Sequence, residues 1–245
     1  MRKRPIRVLY LGNNWLGQQI LGYLLQHDGT DVVGVVKDST LELPSGPSWN
    51  SNQLKDPEAL KQIAILRPDI GVSVLYSHIL KPAFLDLFPL GVINLHPSLL
   101  PYNRGQYPNV WSIVERTPAG VTLHYVDDGI DTGGIICQRE VSVSLSDTGQ
   151  SLYWKLMIAG LAMLCEEWPK IIERPTPLSR KQEGPATYHR TEDVQKIDCI
   201  DLDEMYRAGD LINILRARTF APYRGAYFMD RGKKVYMELH LSQEE

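Results

Sequence analysis

The stretch IRVLYLGNNWLGQQILGYLLQHDGTDVVGVV, residues 6–36, decides the fold class. Residues 6–11 are β-rich and bounded by Gly12, and Gly12-Asn13-Asn14 reads as a turn. Between Trp15 and Gln26 the residues Ile20, Leu21, Leu24 and Leu25 recur at helical spacing. VVGVV, residues 32–36, is a second short apolar run. Strand, turn, helix and strand in that order open a parallel α/β sheet. Gly12 and Gly17 stand where a dinucleotide fingerprint places glycines, but the spacing is GNNWLG rather than GxGxxG. Asn14 replaces the glycine that admits a pyrophosphate, and Asp38 lies about a residue beyond the usual acidic position. The turn is therefore expected to be a tight strand–helix connection rather than a nicotinamide site.

The alternation continues down the chain. Residues 39–53 read as a surface loop, Pro57 to Arg67 as a helix with proline in its first turn, and Asp69 to Leu75 as a third strand. Pro82 to Phe88 is a short helix, and Val92 to Leu95 a fourth strand that delivers Asn94 and His96 at its C-terminal end. Ligands of open α/β sheets sit at that end. A helix starts over Val110 to Glu115, Gly120 to Val126 alternates as a strand, Asp127 to Gly134 is a loop, and Ile135 to Val143 is a strand. Ser146 or Asp147 is expected to cap a long helix reaching about Glu173, which Pro169 bends or ends. Residues 174–187 look like a boundary; beyond it lie a helix over Leu202 to Arg216 and a hairpin over Ala226 to Leu241 turning at Asp230-Arg231-Gly232. The expectation is an α/β domain over residues 1–185, a mostly parallel sheet with helices on both faces, followed by a small extension, 186–245, with a helix and a β-hairpin.

The bulk numbers suit this. The chain has 245 residues, 43% hydrophobic and 22% charged, ordinary globular usage. A net charge of −3 argues against a nucleic-acid backbone as main partner. The basic start MRKR leads into an apolar run, Val8 to Leu11, far too short for a secretory core, and no stretch nears the ~18 apolar residues of a membrane span. The cysteines Cys137, Cys165 and Cys199 form no CxxC pair, so neither a disulfide framework nor a metal site is indicated. Cytoplasm is the default location.

The chemistry concentrates in NLHPSLLPYNRGQYPNVW, residues 94–111, and GVTLHYVDDGIDTGGII, residues 120–136. Asn94 and His96 are two apart, so in a strand both side chains point the same way. An amide N–H can stabilise a developing oxyanion, worth roughly a hundredfold to a thousandfold. A histidine can move a proton, worth roughly a hundredfold to ten-thousandfold. Asp131, in a glycine-rich loop, can orient that histidine or support its charge. Taken alone, His96 reads more plainly as a capping or core histidine and Asp131 as a turn residue; the assembled pattern suits acyl transfer to an amine. With no GxSxG serine or activated cysteine, direct transfer is expected rather than a covalent intermediate.

NLHPSLLP with the downstream DTG resembles the folate-dependent formyltransferases over roughly residues 6–190. That resemblance implies a Rossmann-like fold, catalysis by Asn94, His96 and Asp131, and 10-formyltetrahydrofolate as co-substrate. It implies that SVLYSHIL, residues 73–80, holds the pterin end of the folate, giving Leu75, Tyr76, Ser77, His78, Ile79 and Leu80 as contacts. Asp127, Asp128, Gly129 and Ile130 belong to the other folate loop. Some branches carry a small residue where Tyr76 stands.

The segments YNRGQYPN after the motif, TYHRTEDVQKID (187–198) and LINILRARTFAPYRGAYF (211–228) resemble the sugar N-formyltransferase branch, and the chain is too short for the β-barrel of the tRNA enzymes. The resemblance implies a nucleotide-linked amino sugar, such as a dTDP-4-amino-4,6-dideoxyhexose, as acceptor and a surface glycan such as O-antigen as destination. Tyr102, Asn103, Arg104, Arg216 and Tyr223 are the candidates for its side of the site, Arg104 by pairing a phosphate. A fold-stabilising role for Arg104 and a core role for Trp111 are the plainer readings. A homodimer through an apolar hairpin face of Tyr227, Phe228, Val235 and Tyr236 is expected.

Overall fold

The computed structural model describes residues 4–38, 46–174 and 178–242. In chain order the elements are β1 (Ile6–Gly12), α1 (Asn14–Gln26), β2 (Thr30–Val36), β3 (Ser48–Trp49), a 3-10 helix (Ser51–Lys55), α2 (Pro57–Ile65), β4 (Ile70–Val74), α3 (Pro82–Leu85), β5 (Val92–His96), β6 (Arg104–Gly105), α4 (Pro108–Val114), β7 (Ala119–Tyr125), β8 (Ile135–Val141), α5 (Gly149–Glu173), β9 (Tyr188–His189), α6 (Asp193–Asp198), α7 (Ala208–Ala217), β10 (Tyr227–Asp230) and β11 (Lys233–Tyr236). The main sheet has seven strands in the order β3-β2-β1-β4-β5-β7-β8. The pairs from β3 through β5 are parallel and the β5–β7 pair is antiparallel.

Contacts divide the chain into two compact units. The first comprises Met1–His96, Thr122–Gln138 and Gly160–Gln182. Its central strands β1 and β4 are buried almost throughout, as apolar runs covered on both faces must be. Leu9, Leu11, Val36, Ile63, Phe84 and Val92 belong to one apolar cluster of this unit. The two glycines of GNNWLG serve packing. A Cβ on Gly12 would stand 2.6 Å from the Tyr10 hydroxyl. That hydroxyl donates to the Gly17 carbonyl at 2.8 Å. Asn14, the first residue of α1, at φ 60°, accepts from the Leu16 and Gly17 N–H groups. The sequence expected a tight connection here, and the turn is closed by protein groups.

The second unit comprises Pro97–Val121, Arg139–Ala159 and Glu183–Glu245. It contains the β6–β9 pair, α4, α6, α7 and the β10–β11 hairpin, with Val110, Ile113, Leu152, Leu156, Met157, Ala217 and Ala226 buried.

Several local expectations need correction. The stretch 39–53 carries β3 and the start of the 3-10 helix among its described residues, because Trp49 is buried and Asn50 makes a capping box with Gln53; residues 39–45 lie outside the described residues. Strand β7 does not alternate in burial: its residues are buried on both faces from Ala119 to His124. Thr148 rather than Ser146 or Asp147 caps α5: its hydroxyl accepts from the Ser151 N–H at 3.2 Å and its own N–H donates to the Ser151 hydroxyl at 3.0 Å. The helix continues through Pro169. The C-terminal helix starts at Ala208, not Leu202, and α6 precedes it. In the hairpin, Tyr227 pairs with Tyr236 and Phe228 with Val235. Adjacent cross-strand pairs point to opposite faces, so the four residues form two small faces rather than one.

Candidate active site

Strand β5 carries Asn94 and His96 at its C-terminal end, the second buried and the first half-buried. Register then fixes their neighbours. On one side Asn94 pairs with Ser73 of β4, and on the other with His124 of β7. The Ser73 hydroxyl donates to Asn94 Oδ1 at 2.8 Å, and Asn94 Nδ2 lies 3.2 Å from His124 Nε2. His124 Nδ1 lies 2.7 Å from the Tyr125 carbonyl oxygen, which can only accept. Nδ1 therefore carries a proton, and in the tautomer with no proton on Nε2 that nitrogen offers a lone pair to which Asn94 Nδ2 donates. Both ends of the Asn94 amide are thus specified, and its second N–H has no partner among the described residues.

Asp131 closes the cluster. One carboxylate oxygen lies 3.5 Å from His96 Nδ1 and the other 3.5 Å from His124 Nε2. The two imidazole rings stand nearly perpendicular, 6.4 Å apart. The Asp131 backbone is left-handed, φ 53°, in a loop that returns upon itself. At Gly133 a Cβ would fall 1.9 Å from the Tyr125 carbonyl oxygen, so only glycine lets the loop pass. The Gln182 side chain donates to the carbonyls of Asp131 and Gly133 at 2.7 and 2.9 Å, holding the loop in place.

The structure brings Asn94, His96 and Asp131 to one locus, and with them His124, Ser73 and Gln182, which the sequence did not single out. His124 had a signal: it is a titratable residue inside a buried strand. Ser73 and Gln182 carried none, because their roles come from strand register and from a segment far along the chain.

The loop over Leu75–Leu80 follows β4. Leu75 has φ 49°, an unusual conformation for leucine of the kind that gathers at functional sites. Ser77, His78 and Ile79 are exposed, Tyr76 is half-buried and Leu80 is buried. In the second predicted loop Asp127, Asp128, Gly129 and Ile130 are all exposed. Asp127 Oδ1 accepts from the Gly129 N–H at 3.1 Å and the Thr132 hydroxyl at 2.5 Å, an arrangement that shapes the turn.

The residues expected on the acceptor side lie in the second unit. Tyr102 and Arg104 are half-buried, and Tyr223 is 69% exposed beside Phe220. Asn103 is fully buried, and its Nδ2 donates to the hydroxyls of Ser112 and Thr117 while its Oδ1 accepts from Thr187. Arg216 is also buried, donating to Asn213 and to the carbonyls of Ser144 and Asp147. Burial pushes its guanidinium below the ordinary value, against the raising effect of Asp147. For these two the structure shows a scaffolding occupation. Trp111 is buried and stacked on His189 at 4.0 Å, in keeping with its core reading. Among the described residues no helix is long and apolar enough to cross a membrane, and no cluster of three potential metal ligands occurs.

A site of amide, imidazole and carboxylate at the carboxyl edge of a mostly parallel sheet defines an acyl-transfer class, and comparison with known proteins agrees. Residues 18–167 match the formyl transferase family, and residues 193–243 the N-formyltransferase dimerization C-terminal domain. The chain belongs to the formyl transferase family. The dTDP-4-amino-4,6-dideoxyglucose formyltransferase of Mycobacterium tuberculosis is 35% identical over 157 residues, which are 62% of this chain and 65% of that protein. The chain thus spans somewhat under two thirds of that curated relative. The methionyl-tRNA formyltransferase of Acetivibrio thermocellus is 32% identical over 194 residues, 79% of this chain and 61% of its own length. Among solved structures, a Mycobacterium tuberculosis protein proposed to be a sugar N-formyltransferase superposes with a TM-score of 0.84 at 28% identity, covering 98% of this chain and 99% of that one. The formyltransferase PseJ of Anoxybacillus kamchatkensis, in complex with UDP-4,6-dideoxy-4-formamido-L-AltNAc and tetrahydrofolate, gives a TM-score of 0.58 at 30% identity, covering 78% and 88%.

Proposed function

We propose that this chain transfers the formyl group of 10-formyltetrahydrofolate to the amine of a nucleotide-linked amino sugar, a dTDP-4-amino-4,6-dideoxyhexose. The observation that carries the reading is the Asn94 amide, oriented from both sides with one N–H left over beside His96. That N–H suits an oxyanion. In the reaction the amine nitrogen bonds to the formyl carbon, and the bond from that carbon to the folate nitrogen breaks. Asn94 donates to the oxygen on which charge develops. His96, held by Asp131, assists the proton that leaves the amine and reaches the folate nitrogen. His124 keeps the Asn94 amide the right way round.

The folate is assigned to Leu75–Leu80 and to Asp127–Ile130, and the acceptor to Tyr102, Arg104 and Tyr223, with Asn103 and Arg216 shaping that unit from within. The same proposal includes a division near residue 185 into a catalytic domain and an extension through which two copies associate, a cytoplasmic location, and a product destined for a surface polysaccharide such as O-antigen. The relatives' dTDP- and UDP-linked amino-sugar compounds and the C-terminal dimerization match support this over a tRNA acceptor.

The test is a formyl-transfer assay with 10-formyltetrahydrofolate against dTDP-, UDP- and GDP-linked amino sugars, with formylatable tRNA alongside. Turnover on a sugar nucleotide and none on tRNA is expected. Turnover on tRNA alone would keep the chemistry and overturn the acceptor. Silence throughout would leave a formyl-folate binding module as the better reading.

A further inference from the structure

Asp38 stands two residues beyond the end of β2, at the edge of the sheet where the carboxyl ends of the parallel strands gather. In a dinucleotide fold an acid near this place reads a ribose. Here its oxygens are taken by protein. The Ser51 N–H donates to Oδ1 at 2.7 Å, the Ser51 hydroxyl donates to Oδ2, and His78 Nε2 lies 2.8 Å from Oδ2. The Asp38 N–H donates to Asn13 Oδ1 at 3.0 Å. The Tyr76 hydroxyl in turn donates to the Ser51 hydroxyl oxygen, and the rings of Tyr76 and His78 lie 5.4 Å apart. One residue thus joins four segments: the turn after β1, the end of β2, the 3-10 helix and the loop after β4.

The loop has few other restraints. Ser77, His78 and Ile79 are exposed and outside any helix or strand. Among the described residues, the side-chain hydrogen bonds and ion pairs of Leu75–Leu80 are those of Tyr76 and His78. Burial raises the Asp38 carboxyl, but the Ser51 hydroxyl, the Ser51 N–H and His78 outweigh it, and it lies below the ordinary value. Tyr76 is pushed up to about 12 by burial, against the Ser51 hydrogen bond and with the help of the Asp38 charge, so it stays a donor at neutral pH.

We infer that Asp38 is a positioning residue for the formyl-folate: through His78 directly, and through Ser51 to Tyr76, it fixes the loop Leu75–Leu80. The inference rests on the assignment of that loop to the folate made above. The role is one of positioning: with its oxygens held by Ser51 and His78, Asp38 sets the geometry of the loop that does the holding.

The experiment compares the full-length protein with Asp38→Asn and Ser51→Ala. Binding of 5-formyltetrahydrofolate is followed by intrinsic fluorescence, steady-state constants are taken for both substrates, and hydrogen exchange is measured on the ligand-free proteins. Asp38→Asn should weaken folate binding and raise its KM by about tenfold, a tenfold change being one decade in Kd. The KM of the amine acceptor should stay within about twofold and kcat within about threefold. Exchange should quicken over residues 75–80 and not over β5. Ser51→Ala, which leaves the His78 contact, should give about a third of that effect on affinity.

Folate affinity within twofold of the parent in Asp38→Asn, or an equal rise in both KM values with faster exchange everywhere, would overturn the inference. A parent protein that does not bind 5-formyltetrahydrofolate would overturn the folate reading and this inference with it. A parent that binds while Asp38→Asn is unaffected would overturn this inference alone.

Discussion

Replacing His124 by phenylalanine separates the orientation of the Asn94 amide from the mere filling of space. His124 is 2% exposed and buried between β5 and the Asp131 loop, and phenylalanine occupies a similar volume. The substitution removes the donor to the Tyr125 carbonyl at 2.7 Å and the acceptor from Asn94 Nδ2 at 3.2 Å. Each buried group left unpaired costs about 1–3 kcal/mol. Asn94 is half-buried and can recruit water, so a stability loss of roughly 2–4 kcal/mol is expected, read by thermal or urea unfolding. The effect on turnover is separate. Without His124 only the Ser73 hydroxyl holds the amide, and a hydroxyl tolerates either end because it donates or accepts. A flipped amide presents oxygen where a donor is needed, and losing one such donor costs about a hundredfold or more in kcat. His124→Gln can place an acceptor near the former Nε2 and should recover most of that loss, to within about tenfold of the parent. The assay is formyl transfer at saturating folate and acceptor. A phenylalanine variant whose kcat stays within threefold of the parent, or a glutamine variant no better than phenylalanine, would refute the reasoning.

Three further outcomes follow from other parts of the molecule. His96→Asn should remove most turnover, by a hundredfold or more, while 5-formyltetrahydrofolate still binds within a few-fold; turnover close to the parent would remove His96 from the chemistry. Gly133→Ala should displace the Asp131 loop, because the new methyl has no room beside the Tyr125 carbonyl; loss of activity with a lowered melting temperature is expected, and an unchanged enzyme would show the loop is laid out differently. At Asp147 burial raises the carboxyl, but Lys155, the Ser144 N–H and the Ser151 hydroxyl outweigh it and leave it below its ordinary value. A depressed folded-state pKa gives stability that is complete above the unfolded value, about 3.9, and lost as pH falls through the folded one. Asp147→Asn should therefore cost about 1–3 kcal/mol near pH 7 and progressively less in acid, and a cost that is the same at pH 7 and pH 2.5 would rule the charge out.

What the sequence made legible depended on how local the cause was. The buried runs of β1, β2, β4 and β5 announce themselves because a strand covered on both faces is rich in apolar residues rather than alternating. Asn94 and His96 were readable because two residues apart in a strand means one face. His124 was not, because its place opposite Asn94 comes from the register of an antiparallel neighbour 30 residues away. Asn103 and Arg216 are the reverse case: polar residues in a loop and on a helix read as presented to a ligand, whereas tertiary packing closes over them and gives them internal partners. The late start of α7 and the unexpected α6 lie where the sequence pattern was weak.

The pair of hydrogen bonds from Gln182 bears on how this protein can be recombined. The family match ends at residue 167, and the C-terminal match begins at 193, so a chimera with a relative invites a junction anywhere between. A cut before Gln182 would hand the fastening of the Asp131 loop to a foreign side chain, leaving Asn94, His96 and Asp131 all present in a hybrid that works poorly. Grafts joined after Gln182 and before Asp193 keep the donor and its loop from the same parent.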